Sequence, residues 1–130
     1  MIFKRKEGFR FAFGEPIDAN YVVLVNGRAE NLERSQTPCR IIDVSPRGMK
    51  MFSNTEIGGN SNQLIQVEVF FVLDETMIRA IGEITWAKPY GNGFHYGLIF
   101  DNQPVLEELI VSELKIRRKK ELKHGKTAKR

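Results

Sequence analysis

Cys39-Arg40-Ile41-Ile42-Asp43-Val44-Ser45-Pro46-Arg47-Gly48-Met49-Lys50-Met51-Phe52-Ser53 reads as two strands joined by a tight polar turn. The strand-like runs are Cys39–Ile42 and Met49–Ser53, and the turn is Asp43 to Gly48. On an extended backbone, side chains two residues apart point the same way, so Asp43 and Ser45 are expected on one face. Pro46 fixes a φ angle, and Gly48 allows a backbone conformation that a β-carbon would hinder. The turn thus offers an acceptor-only carboxylate, a donor–acceptor hydroxyl and bare backbone to anything resting above it. Alone, it is an ordinary Asx-type turn between strands.

Outward from this hairpin the chain is mostly strands. Upstream, Phe9, Phe11 and Phe13 alternate with polar or small residues until Gly14-Glu15-Pro16 interrupts. Tyr21–Val25 is β-branched and aromatic and ends at Asn26-Gly27, a strong hairpin signal. Asn31–Pro38 and Thr55–Asn62 read as loops. Downstream, Ile65, Val67, Val69, Phe71 and Leu73 share one face, with Gln66 and Glu68 on the other. In Met77–Lys88 the shared face is Ile78, Ala80, Ile84 and Trp86; in Gly93–Asp101 it is Phe94, Tyr96, Leu98 and Phe100. Trp86 and the phenylalanines are assigned to the core, because aromatics dominate the buried area of small β domains. His95 is assigned to an exposed strand face. Half-buried strands at this spacing make a small antiparallel sandwich or barrel.

The strands stop at Asp101-Asn102. Asn102 or Gln103 suits a helix cap, Pro104 its first turn, and Glu107-Glu108 its N-terminal dipole. Val105, Leu106, Leu109, Ile110 and Leu114 form the stripe that lays this helix, residues 103–116, on the barrel. Beyond Lys115 the stripe fades into a basic extension, residues 117–130. Cations suit a helix C-terminus, so the extension reads as dipole complement and solubility, or as a tail that docks on an acidic partner or surface. A helix of at least ten residues would hold its first cations about 15 Å or more from the barrel end, away from any ligand there.

Composition bounds the function. The chain has 130 residues, 42% hydrophobic and 28% charged, which suits one domain with a single modest core. Its net charge of +4 is unevenly spread. Residues 115–130 hold nine Lys/Arg and one acid, leaving the preceding body at −4. An acidic body, together with strands that suggest no exposed aromatic platform, disfavours nucleic acid. One cysteine, Cys39, excludes an intrachain disulfide and suits a reducing cytoplasm. The longest apolar run, Val69–Leu73, is too short to span a bilayer. Two separated histidines and one cysteine make no metal cluster, and neither a phosphate loop nor a nucleophile with its base is recognisable. Neither a cofactor, a metal nor catalysis is expected.

A second cluster gives the turn its meaning. Lys4-Arg5-Lys6-Glu7-Gly8-Phe9-Arg10 carries four cations in seven residues. Such groups select phosphate oxygens, and an arginine fork also fits the O6/N7 edge of a purine. A basic arm that can fold over a carboxylate–hydroxyl turn makes a site for an anionic, guanine-like ligand.

In these two clusters the chain resembles the PilZ domains, bacterial receptors for cyclic di-GMP. Their signature is RxxxR followed further along by [D/N]xSxxG. Asp43, Ser45 and Gly48 match the second motif in full. In the first, Arg10 matches the closing arginine, whereas Lys6 stands in place of the opening one. A lysine is a point charge and cannot reproduce a bidentate guanidinium contact. The resemblance runs from Lys4 to the helix after Asn102, including Ile81–Trp86 and Gly93–Phe100. It implies a mainly β fold, a six-stranded antiparallel barrel followed by a C-terminal helix. The single domain covers residues 1–116, as a basic arm (1–10), a barrel (9–101) and a helix (103–116). It also implies a cytoplasmic, non-enzymatic receptor that relays cyclic di-GMP to a downstream protein. Arg5, Lys6 and Arg10 would meet phosphates and the guanine edge. Asp43 would accept from guanine N–H groups, Ser45 would add a hydrogen bond, and Gly48 would let backbone approach. A basic residue directly before the arginine motif, here Arg5, accompanies two stacked ligand molecules in this family. Two rival readings remain: the same fold without its ligand, serving as a protein-interaction module, and a small barrel that uses its basic tail and exposed aromatics to bind single-stranded nucleic acid.

Overall fold

The computed structural model describes residues 10–29, 35–58 and 63–128, with side chains in the helix to residue 123. The arm 1–9, and with it Arg5 and Lys6, lies outside the described residues. In chain order the elements are β1 (Phe11–Val25), β2 (Arg28–Ala29), β3 (Thr37–Ser45), β4 (Gly48–Ser53), β5 (Ile65–Val72), β6 (Met77–Tyr90), β7 (Gly93–Ile99) and α1 (Pro104–Ala128). The hydrogen-bonded order is β1-β3-β4-β7-β6-β5, and β1 pairs again with β5. That second pairing closes a six-stranded antiparallel barrel, with the two-residue β2 as a flap on β1.

β1 closes the barrel because it is long enough to serve two neighbours. Its first part faces β3, from Phe11 opposite Val44 to Tyr21 opposite Thr37. Its second part, Asn20–Val25, faces Ile65–Phe70 of β5. The Gly14-Glu15-Pro16 interruption expected from sequence does not end the strand. It is absorbed as an irregularity between Ala12 and Ile17. Proline removes a ladder donor, so the chain arches out there and pairing resumes beyond it. At the other end Asn26 and Gly27 both take positive φ, 51° and 83°, as a two-residue hairpin turn requires. The Asn26 amide and side chain tie this turn to Leu64, where β5 begins.

Inward-facing Ile41, Val44, Met51, Val67, Val69, Phe71, Ile78, Ala80 and Tyr96 are almost wholly buried and form one core. Full burial of each large side chain stabilises by about 1.5–3 kcal/mol before entropy is counted. Buried hydroxyls are paired: Tyr21 with Ser53 at 2.8 Å, and Tyr96 accepting from the Ile57 amide at 2.7 Å. Glu68, on the outer side of β5, is only 2% exposed, and its carboxylate meets Arg79.

Trp86 is not in the core. It is 44% exposed, on the outer face. The helix stripe is also corrected at one position: Leu106, Ile110 and Leu114 are buried, but Val105 is 80% exposed. The covered face continues instead through Glu113. Its carboxylate, 6% exposed, accepts from the amides of Asp74, Glu75 and Thr76 at 3.1, 3.2 and 3.2 Å. One carboxylate thereby satisfies three loop N–H groups with charge-assisted bonds. The expected gap between barrel and basic extension is not there. Arg117 donates to the Leu73 carbonyl at 2.9 Å and lies over the Phe13 ring at 5.0 Å, and Lys120 pairs with Asp74 at 2.8 Å. The helix runs along the barrel rather than away from it, so its length brings cations back onto the surface. No helix among the described residues is long and apolar enough to cross a membrane.

Candidate functional site

Two register irregularities build the site. In β3, Cys39 and Ile41 point inward, and unbroken alternation would send Asp43 inward too. The β3–β4 register shifts between Ile41 and Asp43, and Val44 becomes the next buried residue. Asp43 is thereby turned to the outer face, opposite Lys50. In β6, Ile78, Ala80 and Ile84 follow the inward phase, and the register with β7 shifts between Ile84 and Trp86. Trp86 therefore lands opposite the outward Gly97. A bulge inserts one residue and re-aims everything after it; here two bulges aim a carboxylate and an indole at the same surface.

They meet across the sheet. Ala12, Asp43, Lys50, Gly97 and Trp86 are consecutive partners from β1 through β3, β4 and β7 to β6. Above this row lies a shallow cavity of about 350 Å³ whose walls include Arg10, Asp43, Lys50, Thr85, Trp86 and Gly97. Arg10, at the start of the described chain, reaches back to ion-pair with Asp43, 33 residues away. The Asp43 side chain is 16% exposed and that of Arg10 half exposed, so water screens the pair and it adds little stability. Thr85 at the β6 bulge donates to the Gly97 carbonyl at 3.2 Å, which pins the bulge.

Gly97 is what lets Trp86 lie down: a β-carbon there would overlap the indole. Gly48 has a related but internal role. A β-carbon on it would come 2.5 Å from the Leu98 carbonyl oxygen, so its bareness lets β4 approach β7. Ser45 is buried, and its hydroxyl donates to the Gly48 carbonyl at 3.3 Å across the Pro46-Arg47 turn. Asp43 and Ser45 share the outer face as expected, since no register shift falls between them, but only Asp43 borders the cavity, while the buried Ser45 fastens the turn. The turn is held from the other side by the Phe100 amide, which donates to the Arg47 carbonyl at 2.9 Å, and by the Arg47–Glu107 pair at 3.8 Å.

Arg10 borders a second depression, of about 330 Å³, shared with Phe11, Ala12, Arg118, Glu121 and Leu122. The basic part of α1 thus lies beside the point where the arm leaves the barrel. Elsewhere the chemistry is quiet. Burial pushes the Cys39 thiol up to about 12, which leaves it an unreactive core residue. Among the described residues, no group of three or more His, Cys, Asp or Glu is placed to hold a metal ion.

Lys50, Trp86 and Gly97 are cavity residues that sequence reasoning did not select. A readable signal existed for Gly97, since a glycine inside an alternating strand marks a close approach. None existed for Trp86, whose spacing from Ile84 matches inward alternation.

Comparison with known proteins agrees with this geometry. A search of curated proteins finds no match. The family model described as PilZ domain matches residues 4–115, which takes in the arm, the barrel and the first half of α1. PilZ domains are ligand-binding effector modules for cyclic di-GMP, and this chain belongs to the PilZ domain family.

Proposed function

We propose that this protein is a non-enzymatic cytoplasmic receptor for cyclic di-GMP, and that the ligand lies on the outer face where β3, β4, β7 and β6 meet. The observation that carries this is the convergence of Arg10, Asp43, Lys50 and Trp86 around one cavity. Each supplies something a guanine nucleotide needs. The Asp43 carboxylate accepts from guanine N–H groups, the Arg10 fork meets a phosphate or the O6/N7 edge, Lys50 adds a point charge, and the indole offers a stacking surface. Ser45 and Gly48 act through the turn that holds Asp43 in position.

The Arg10–Asp43 pair is the resting arrangement, and a bound guanine takes over the carboxylate while Arg10 turns to phosphate. The arm then follows, with Lys6 and Arg5 meeting further phosphates and Arg5 stacking on a second ligand molecule. Because Arg10 also borders the depression beside Arg118 and Leu122, arm closure alters the surface formed with α1 and presents it to a downstream protein.

Isothermal calorimetry with cyclic di-GMP tests this reading. A ratio near two is expected for the unmodified chain, falling toward one in Arg5→Leu. Arg10→Ala or Asp43→Ala should each weaken binding by about 1.5–3 kcal/mol without unfolding. Lys6→Arg should tighten it, because a fork replaces a point charge. No heat at near-millimolar ligand would leave the protein as an interaction module of the same fold.

A further inference from the structure

The outer face does not end at the candidate site. The next row across the sheet, two residues along each of β4, β7 and β6, is Asp18, Arg40, Phe52, His95 and Lys88. Past the β6 bulge, Trp86, Lys88 and Tyr90 all point outward, so an aromatic, a cation and an aromatic alternate along one strand. Tyr90 is 60% exposed and stacks on His95 at 4.1 Å with the rings 16° apart. Phe52 meets both rings edge-on, 6.3 Å from Tyr90 and 6.0 Å from His95. Phe52 lies against Gly93 as Trp86 lies against Gly97: a β-carbon on Gly93 would come 2.7 Å from the Phe52 ring. The two glycines of β7 thus floor a strip of rings that runs on from the candidate site.

The strip is positively charged although the body is acidic. Its two acids each have an arginine, Asp43 with Arg10 and Asp18 with Arg40 at 3.7 Å. Lys50 and Lys88 add charge on either side of His95. Desolvation, then Lys50 and Lys88, hold the His95 imidazole below its ordinary proton affinity, so that the ring is a neutral stacking surface near pH 7. Beyond Phe52 lies a depression of about 410 Å³ whose walls include Asp18, Arg40, Ser53, Asn54 and Asn92. The expectation that no exposed aromatic platform exists is corrected here, and with it one of the two arguments against nucleic acid.

From these observations we infer that the strip formed by Tyr90, His95, Phe52, Lys50 and Lys88 binds single-stranded nucleic acid. Tyr90 is exposed and Phe52 and His95 are half-buried beneath it, and surface rings with interleaved cations stack bases and follow a backbone with little regard to sequence. A free mononucleotide would instead need an enclosing pocket, and the Tyr90–His95 stack is open. A duplex hides its base faces and would find only the charges. This inference does not rest on the cyclic di-GMP reading, although Lys50 and Trp86 lie where the two surfaces adjoin.

The test is fluorescence anisotropy of a labelled oligothymidylate with the intact protein at low salt, beside a duplex of matched length. Saturable binding to the single strand, stronger than to the duplex, is expected. Tyr90→Ala should weaken it by roughly five- to 150-fold, and Lys88→Ala should lower the slope of log affinity against log salt by about one. Both side chains are exposed, so unchanged melting temperatures are expected for the two variants. No binding, equal binding to the duplex, or binding indifferent to both substitutions would overturn the inference; in the last case the affinity belongs to the basic helix. Calorimetry with cyclic di-GMP on Tyr90→Ala separates the readings. Retained heat is expected, and its loss would overturn the claim of a second surface.

Discussion

β5 and β6 are hydrogen-bonded neighbours written in the same alternating code, yet only one keeps it. β5 pairs with β1 on one side and β6 on the other without a register shift, and Val67, Val69 and Phe71 are all but fully buried. β6 matches it residue for residue from Met77 to Glu83, then shifts register against β7 and turns Trp86, Lys88 and Tyr90 to the outside. The regular strand sends its inward row, Val67, Val69 and Phe71, into the core without a break. The bulged strand spends half of its own on a surface. A single extra residue thus separates core from outer surface, and β3 repeats the arrangement with Cys39 inward before its shift and Asp43 outward after it.

The largest expected effect comes from breaking the regular strand. Phe71→Ala should cost about 3–5 kcal/mol of stability in urea unfolding, through lost burial and an unfilled cavity. If it costs less than about 1 kcal/mol, β5 is not a core strand. The bulged strand should behave in the opposite sense. Trp86→Ala should weaken cyclic di-GMP binding by about 1–3 kcal/mol while shifting unfolding by less than about 1 kcal/mol. A large stability loss with unchanged affinity would put the indole back in the core.

β3 offers the same contrast by titration. The Cys39 thiol, held up to about 12 by burial, stays protonated in the folded chain while the unfolded chain ionises near the ordinary value of 9.0. Its contribution is therefore fully present below about pH 9 and declines as pH rises toward 12, by about 1.4 kcal/mol per pH unit. Cys39→Ala should flatten the alkaline limb of a stability–pH curve, and an unchanged limb would place the thiol in solvent. The smallest effect concerns how the indole is held. Gly97→Ala should displace Trp86, shift its fluorescence, and weaken ligand binding by about 0.5–1.5 kcal/mol, the scale of a disturbed rotamer. Unchanged emission would mean that the ring does not rest on the glycine.

The strands, apart from the continuity of β1 through Gly14-Glu15-Pro16, the Asn26-Gly27 hairpin, the Asp43–Gly48 turn and the helix anchored by Leu106, Ile110 and Leu114 were legible in the sequence. Each follows from local rules of period two, period 3.6 and turn chemistry, which act over a few residues. The opposed charges of Arg10 and Asp43 were legible as well, since charge and hydrogen-bonding capacity belong to the residue itself. Trp86 was not, because alternation fixes which residues share a face only until a bulge intervenes. Where a bulge falls depends on how strands distant in sequence close around one core. Glu113 on the loop at Asp74–Thr76, Arg117 on Phe13, and Trp86 on Gly97 are likewise contacts between segments that share no local pattern. Side-chain chemistry was written along the chain; which side chains came to share the outer cavity was decided by the bulges and by barrel closure.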